Sequence, residues 1–219
     1  MLKGIIFDMD GTLGDTLRLC IESYRGCVRE LTGRTPSEAE VVSYFGLSDR
    51  GVLGGLLGMS PDSPELPIQT FVRIYCERHD ELAPSPFPGA AELLWELKQR
   101  GLKLALLTGK EAYTAIPTVQ KYGMEGVFDL QLYGDPYYNA KADNLKRAMQ
   151  AWQLAPEEII YVGDAPSDIS LCHSVGVAII NAAWSSTAPA EEAACINLSP
   201  EYRLADFHEL APLIHKLTT

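Results

Sequence analysis

The chain has 219 residues, 47% of them apolar and 21% charged, with a formal net charge of −11. That length supports a full hydrophobic core, as one domain or as a domain carrying an insertion. The acidic balance excludes the basic face that nucleic-acid binding requires, and any phosphate site must be built from local donors.

Five cysteines, Cys20, Cys27, Cys76, Cys172 and Cys195, are scattered without metal or redox spacing, so they read as small buried hydrophobes in a reducing compartment. No apolar run is long enough to span a membrane, and an apolar strand begins within a few residues of Met1, leaving no room for a signal peptide. The expected location is cytoplasmic.

Gly4 to Phe7 is a continuous apolar run, the pattern of a strand buried on both faces. It leads into Asp8-Met9-Asp10-Gly11-Thr12. Side chains at i and i+2 of an extended segment point the same way, so Asp8 and Asp10 share the carboxyl end of the strand, where open α/β sheets bind ligands. Two like charges so close repel unless a cation or a shared proton offsets them. Taken singly, either Asp could be a turn former or a helix cap.

From about residue 16 to residue 83 the pattern is helical. Leu17, Cys20, Ile21, Tyr24, Val28 and Leu31 recur at helical spacing and end at Gly33. A short helix follows Pro36-Ser37. Gly46 to Arg50 reads as a loop leading into a capped helix that stops near Gly58. The Pro61–Pro67 stretch carries turn residues, and a last helix covers Pro67 to Leu82. The prolines at 84, 86 and 88 form a hinge.

The rhythm then alternates. A helix covers Ala90 to Arg100 with Ala91, Leu94, Trp95 and Leu97 on its apolar face, and a second strand covers Leu102 to Leu107 and ends at Thr108-Gly109-Lys110. A helix from Glu111 to Tyr122 must be kinked or split at Pro117. A third strand covers Val127 to Tyr133, and Lys141 opens a helix that runs to Trp152. A fourth strand, Glu158 to Val162, ends at Gly163-Asp164. A helix from Pro166 to Val175, a fifth strand from Gly176 to Ile180 and a terminal helix from Ala205 to Leu217 complete the chain. Strands alternating with helices imply a doubly wound, Rossmann-like parallel sheet of the α/β class. Its strand ends bring Asp8, Asp10, Thr108, Lys110, Asp164 and Asp168 to one edge, with Lys141 beside them.

Asp-x-Asp-Gly-Thr at residues 8–12, Thr108-Gly109-Lys110, Lys141, and Gly163-Asp164-Ala165-Pro166-Ser167-Asp168 resemble, in order, the four motifs of the haloacid-dehalogenase-like (HAD) hydrolase superfamily. Phe87-Pro88-Gly89 and Ala183-Trp184 resemble its phosphoglycolate-phosphatase-like branch. Ala142 follows Lys141 where many relatives have proline; Lys146, the competing lysine, lies a full turn into the helix.

The resemblance implies a HAD-like core of residues 1–15 and 84–219 with a small all-helical cap of residues 16–83 inserted after the first strand. It implies an Mg²⁺-dependent phosphatase acting on a small phosphorylated metabolite, phosphoglycolate-like or a sugar phosphate. Asp8 would be the nucleophile, forming an aspartyl-phosphate, and Asp10 the acid and base. Asp8, Asp164 and the Asp10 carbonyl would hold the metal, with Asp168 behind them. Gly11, Thr12, Thr108, Gly109, Lys110 and Lys141 would cradle phosphate, although Lys110 on its own reads as a solvated or secondary residue.

Tyr24, Tyr44, Gly46 and Arg50 are the cap candidates for substrate contact. Arg50 would suit a carboxylated leaving group, and it also reads as an exposed helix-start arginine. The second acid, Asp10, argues against dehalogenation. A β-phosphoglucomutase-like mutase, a pyrophosphatase and a non-enzymatic phospho-acceptor module remain alternatives. The four histidines, His79, His173, His208 and His215, show no paired spacing and read as structural or surface residues.

Overall fold

A computed structural model describes residues 1–186, 188 and 201–218; Cys195 lies outside them. Six parallel strands form one sheet in the order β3-β2-β1-β4-β5-β6. They are β1 (Gly4–Phe7), β2 (Lys103–Leu107), β3 (Leu130–Leu132), β4 (Ile159–Gly163), β5 (Ala178–Ala182) and β6 (Tyr202–Leu204). The order reverses between β1 and β4, the point in an open parallel sheet at which the loops diverge and leave a crevice.

β1 is central because its side chains can be buried on both faces. Ile5 and Phe7 enter one apolar cluster, with residues of α5 (Ala90–Gln99), α6 (Ala112–Lys121) and α9 (Leu210–Thr218). Ile6 enters another, against α7 (Lys141–Trp152) and α8 (Pro166–Ser174). The alternation of period 2 thus assigns successive residues to opposite layers.

Four helices lie between β1 and α5: α1 (Leu17–Thr32), α2 (Glu38–Val42), α3 (Asp49–Leu57) and α4 (Ile68–Leu82). They bury a separate apolar cluster in which Tyr24 stacks on Phe71 at 4.5 Å. Gly33 ends α1 in the left-handed conformation, and Ser37 caps α2 by accepting from the Glu40 N–H. α4 packs on α6 through Tyr75 Oη and His79 Nε2, which lie 2.8 and 3.1 Å from Thr118 Oγ1. No helix among the described residues is long and apolar enough to cross a membrane.

Several sequence expectations differ from the structure. Of the kink or split expected at Pro117, the split does not occur: the helix over residues 112–121 is continuous, because the loss of one backbone donor is tolerated where the flanking turns pack against α4 and the sheet. The third strand shrinks to Leu130–Leu132. β6 was not anticipated, being only three residues long. Trp95 is 38% exposed, its indole N–H donating to Gly123 O, while Leu93 takes the buried position.

Ile6 is fully buried between the sheet and α7–α8. Ile6→Ala should lower unfolding free energy by roughly 2–5 kcal/mol in urea denaturation. A loss under about 1 kcal/mol would contradict this account of β1 as the two-sided core strand.

Candidate active site

Asp8 follows β1 directly, and Lys141, the first residue of α7, places its Nζ 2.6 Å from Asp8 Oδ2 and 2.8 Å from Asp168 Oδ1. The other Asp8 oxygen accepts the Met9 N–H at 2.7 Å. Asp10 has a different cation. Lys110 Nζ lies 2.7 Å from Asp10 Oδ1, which also accepts from the Thr16 hydroxyl and, at 3.6 Å, from the Cys20 thiol. Lys110 donates to Cys20 Sγ at 2.7 Å as well. The repulsion expected of two acids one residue apart is therefore offset by two lysines, one for each carboxylate.

Burial is what makes those pairs consequential. Desolvation pushes the Asp8 carboxyl up to about 7, with Asp168, Asp164 and Asp10 adding to the rise and Lys141 opposing it. Asp164 is pushed up to about 6, chiefly by burial and then by Asp168. At Asp10 burial works the same way but is overcome. The Lys110 pair and hydrogen bonds from Lys110, Thr16 and Cys20 hold its carboxyl below the usual range. Both lysines are buried, yet their carboxylate partners keep them firmly protonated.

Asp164 follows β4, next to β1 at the reversal of strand order. It accepts from Thr12 Oγ1 at 3.2 Å and Ser185 Oγ at 3.1 Å. Gly11 has φ +74°, and a Cβ there would fall onto Asp164 Oδ2 with Ser185 Oγ 2.5 Å away, so only glycine fits. Asp8, Asp164 and Asp168 bring carboxylate oxygens within 4.8 Å of one another, and Asp168 Oδ2 is buried without a hydrogen-bond partner. Clustered carboxylate oxygens with an orphaned member are a donor set suited to a hard divalent cation.

Thr108 is fully buried, and its Oγ1 accepts the Lys110 N–H at 3.2 Å. A Cβ on Gly134 would overlap the Gly109 carbonyl, so the loop after β3 presses directly on the loop after β2. Of the two readings its sequence allowed, solvated or secondary, Lys110 is not solvated. It is 5% exposed, with its ammonium 5.2 Å from the Tyr75 ring centroid, because Asp10, Cys20 and Tyr75 enclose it. Lys146 is 62% exposed beside Asp143, away from the cluster.

A cavity of about 470 Å³ opens over this edge, and Asp8, Asp10, Gly109, Lys110, Lys141 and Asp164 lie in its wall. Tyr24 and Gly46 also line it, whereas Tyr44 and Arg50 do not. The Arg50 Nε donates to the Pro61 carbonyl at 3.1 Å, and the Tyr44 ring lies against Gly55.

Sequence reasoning missed three neighbours. Cys20 is drawn into the Asp10–Lys110 pair rather than into plain packing; its spacing of four from Thr16 puts both on one helical face. Asp49, at the start of α3, accepts from Tyr24 Oη at 2.5 Å, Thr114 Oγ1 at 2.5 Å and the Glu111 N–H at 3.0 Å. Glu111 reciprocates, accepting from Ser48 Oγ at 2.6 Å and the Arg50 N–H at 3.1 Å. Only pairing across more than 60 positions reveals this exchange.

Residues 5–182 match the family model described as haloacid dehalogenase-like hydrolase. The chain belongs to that family. A phosphoglycolate phosphatase of Thiobacillus denitrificans is 29% identical over 80% of this chain and 80% of its own length. A pyrophosphatase, PpaX, of Bacillus pumilus is 26% identical over 97% of this chain and 96% of its own. A haloacid dehalogenase-like hydrolase from Streptococcus pneumoniae superposes with a TM-score of 0.71 at 25% identity, covering 97% of this chain and 98% of that one.

In the metal-free hydrolase Asp8 is raised from 3.8 to about 7, so the folded state holds a proton that the unfolded chain releases between those values. Its contribution to stability therefore falls as pH rises from about 4 to about 7 and is constant above. The stability of wild type minus that of Asp8→Asn, measured by urea denaturation in EDTA, should decline across this window. A difference that is flat or rises with pH would contradict the assigned environment.

Proposed function

We propose that this hydrolase is a phosphatase acting on the phosphomonoester of a small metabolite through an aspartyl-phosphate on Asp8. The observation that carries the reading is the separate pairing of two neighbouring carboxylates, Asp8 with Lys141 and Asp10 with Lys110, at the floor of one cavity. The family membership and the phosphatase names of the relatives support the reaction class.

Residues 16–83 act as a helical cap over a core of residues 1–15 and 84–219. Their separate apolar cluster and the Asp49–Glu111 exchange across to α6 support that division. Mg²⁺ is the cation that Asp8, Asp164 and Asp168 would hold, with the Asp10 carbonyl as a further ligand. When bound, it would neutralise phosphate charge and favour ionised Asp8.

Asp8 attacks phosphorus as the carboxylate, its Oδ2 aimed by Lys141, which Asp168 orients in turn. Lys141 and Thr108 take equatorial phosphoryl oxygens, and the N–H groups after Asp8, through Gly11 and Thr12, add donors. Gly109 keeps the wall beside Thr108 open for the phosphoryl group. Asp10 protonates the leaving oxygen and then takes a proton from the water that cleaves the acyl-phosphate. Lys110 holds Asp10 ionised in the empty site, so the acid step requires anionic substrate to draw Lys110 away, and with it the cause of the low pKa. Lys110 is thus a partner of the acid as well as a phosphate donor. Thr16 and Cys20 keep Asp10 oriented meanwhile.

Turnover of p-nitrophenyl phosphate with Mg²⁺ should fall by at least about 10³-fold in Asp8→Asn. Turnover without any divalent cation, or undiminished in Asp8→Asn, would contradict the reading. Asp10→Asn should separate two substrates by kcat/KM, which reports phosphoryl transfer to Asp8. The loss should be about 10²-fold or more for an alkyl phosphate, whose alkoxide needs a proton, and small for p-nitrophenyl phosphate, whose phenolate does not. Equal losses would remove the acid role.

A further inference from the structure

We propose that the leaving group this site accepts is an uncharged, largely apolar alcohol, so that esters carrying a second anionic group are poor substrates. The inference rests on the phosphatase reading and concerns the part of the cavity beyond the phosphate.

Four carboxylates line the cavity, Asp8, Asp10, Asp49 and Asp164, against two cations, Lys110 and Lys141. Both lysines sit at the phosphate end, each already paired with buried acid. No arginine lines the cavity among the described residues. Arg50, the candidate to receive a carboxylate, spends its Nε on the Pro61 carbonyl.

The remaining wall is mostly apolar, formed by Leu17, Val42, Phe45, Leu47 and Val52, with Asn139 and Ser167 as its uncharged polar members. Val42 and Phe45 remain exposed at its edge, although large apolar side chains elsewhere in α1–α4 are mostly buried. Apolar walls that stay uncovered in the free protein fit a ligand that covers them. The one charge on this side is Asp49. Its oxygens are satisfied by Tyr24, Thr114 and the Glu111 N–H, and the cation that acts on it, Lys110, is already paired with Asp10. Tyr24 spends its hydroxyl proton on Asp49 and has none to offer a substrate anion.

A carboxylate or second phosphate entering here would lose water against apolar side chains and meet Asp49 with no partner, which costs it affinity. A polyol would lose many hydrogen bonds to water and could recover only a few, on Asn139 and Ser167, against leucine, valine and phenylalanine. An alkyl or aryl chain loses only its contact with water.

The test compares kcat/KM with Mg²⁺ for three esters of equal carbon number: n-hexyl phosphate, 6-phosphonooxyhexanoate and sorbitol 6-phosphate. The first two have the same primary-alkoxide leaving atom and differ in a distal carboxylate. Hexyl phosphate should exceed the carboxylated ester by about tenfold or more, the effect of one unpaired like charge in a partly desolvated site. It should exceed the sorbitol ester as well. Phe45→Arg, placed at the exposed edge, should move the hexyl-to-carboxylate ratio toward the carboxylate by about the same factor. Equal or faster turnover of the carboxylated or sorbitol ester, or a ratio unmoved by Phe45→Arg, overturns the inference while leaving phosphatase activity established. Absence of turnover on all three and on p-nitrophenyl phosphate overturns both.

Discussion

Two carboxylates separated by a single residue cannot share one buried strand end as bare anions, and the edge of the sheet is built to meet that constraint. Each acid is given its own lysine from a different element, Lys141 from the start of α7 and Lys110 from the loop after β2. The supply of those lysines depends on topology. β1 lies between β2 and β4, so its carboxyl end is flanked by the loop that carries Lys110 on one side and by Asp164 on the other. Asp168, in the first turn of α8, then holds Lys141 in place. The unequal surroundings divide the acids. Asp8, desolvated by burial and crowded by two further carboxylates, is driven toward protonation, while Asp10, held by one lysine and two small donors, is driven away from it.

The helical layer is tied to the sheet by a second use of the same physics. Asp49 at the start of α3 accepts the N–H of Glu111 ahead of α6, and Glu111 accepts the N–H of Arg50 in the first turn of α3. Each carboxylate meets donors at the N-terminus of the other's helix, where orphan N–H groups and the helix dipole favour negative charge. The exchange fixes how α3 sits over the cavity and directs Asp49 at its interior. It also binds the Ser48 hydroxyl to Glu111, which is why a residue that reads as a simple helix cap makes no cap bond to its own helix.

Much of this was legible in the sequence because the relevant signals are local. The apolar run before Asp8, the Thr at the end of β2, the Lys opening α7 and the Gly-Asp after β4 each sit where a parallel sheet must deliver them. The helical stretch over residues 16–83 was legible from period and turn residues. What could not be read depended on contacts between distant segments. Lys110 read as solvated or secondary because nothing near it in the chain shows that Asp10 and Cys20 will close around it. Arg50 was a natural candidate for substrate because its capture by the Pro61 carbonyl is a loop contact with no sequence pattern. Pro117 suggested a kink or a split, and packing overrode the split; β6 was too short to announce itself.

The central claim is that the two neighbouring acids are set in opposite directions, because burial and the nearby carboxylates outweigh Lys141 at Asp8 while Lys110 and its neighbours outweigh burial at Asp10. Carboxyl ¹³C chemical shifts of Asp8 and Asp10, followed by NMR titration of the metal-free protein with assignments from Asp8→Asn and Asp10→Asn, measure this directly. The account predicts that Asp8 titrates near 7 while Asp10 stays ionised to below the usual carboxylate range. Asp10 titrating at or above Asp8 would contradict it.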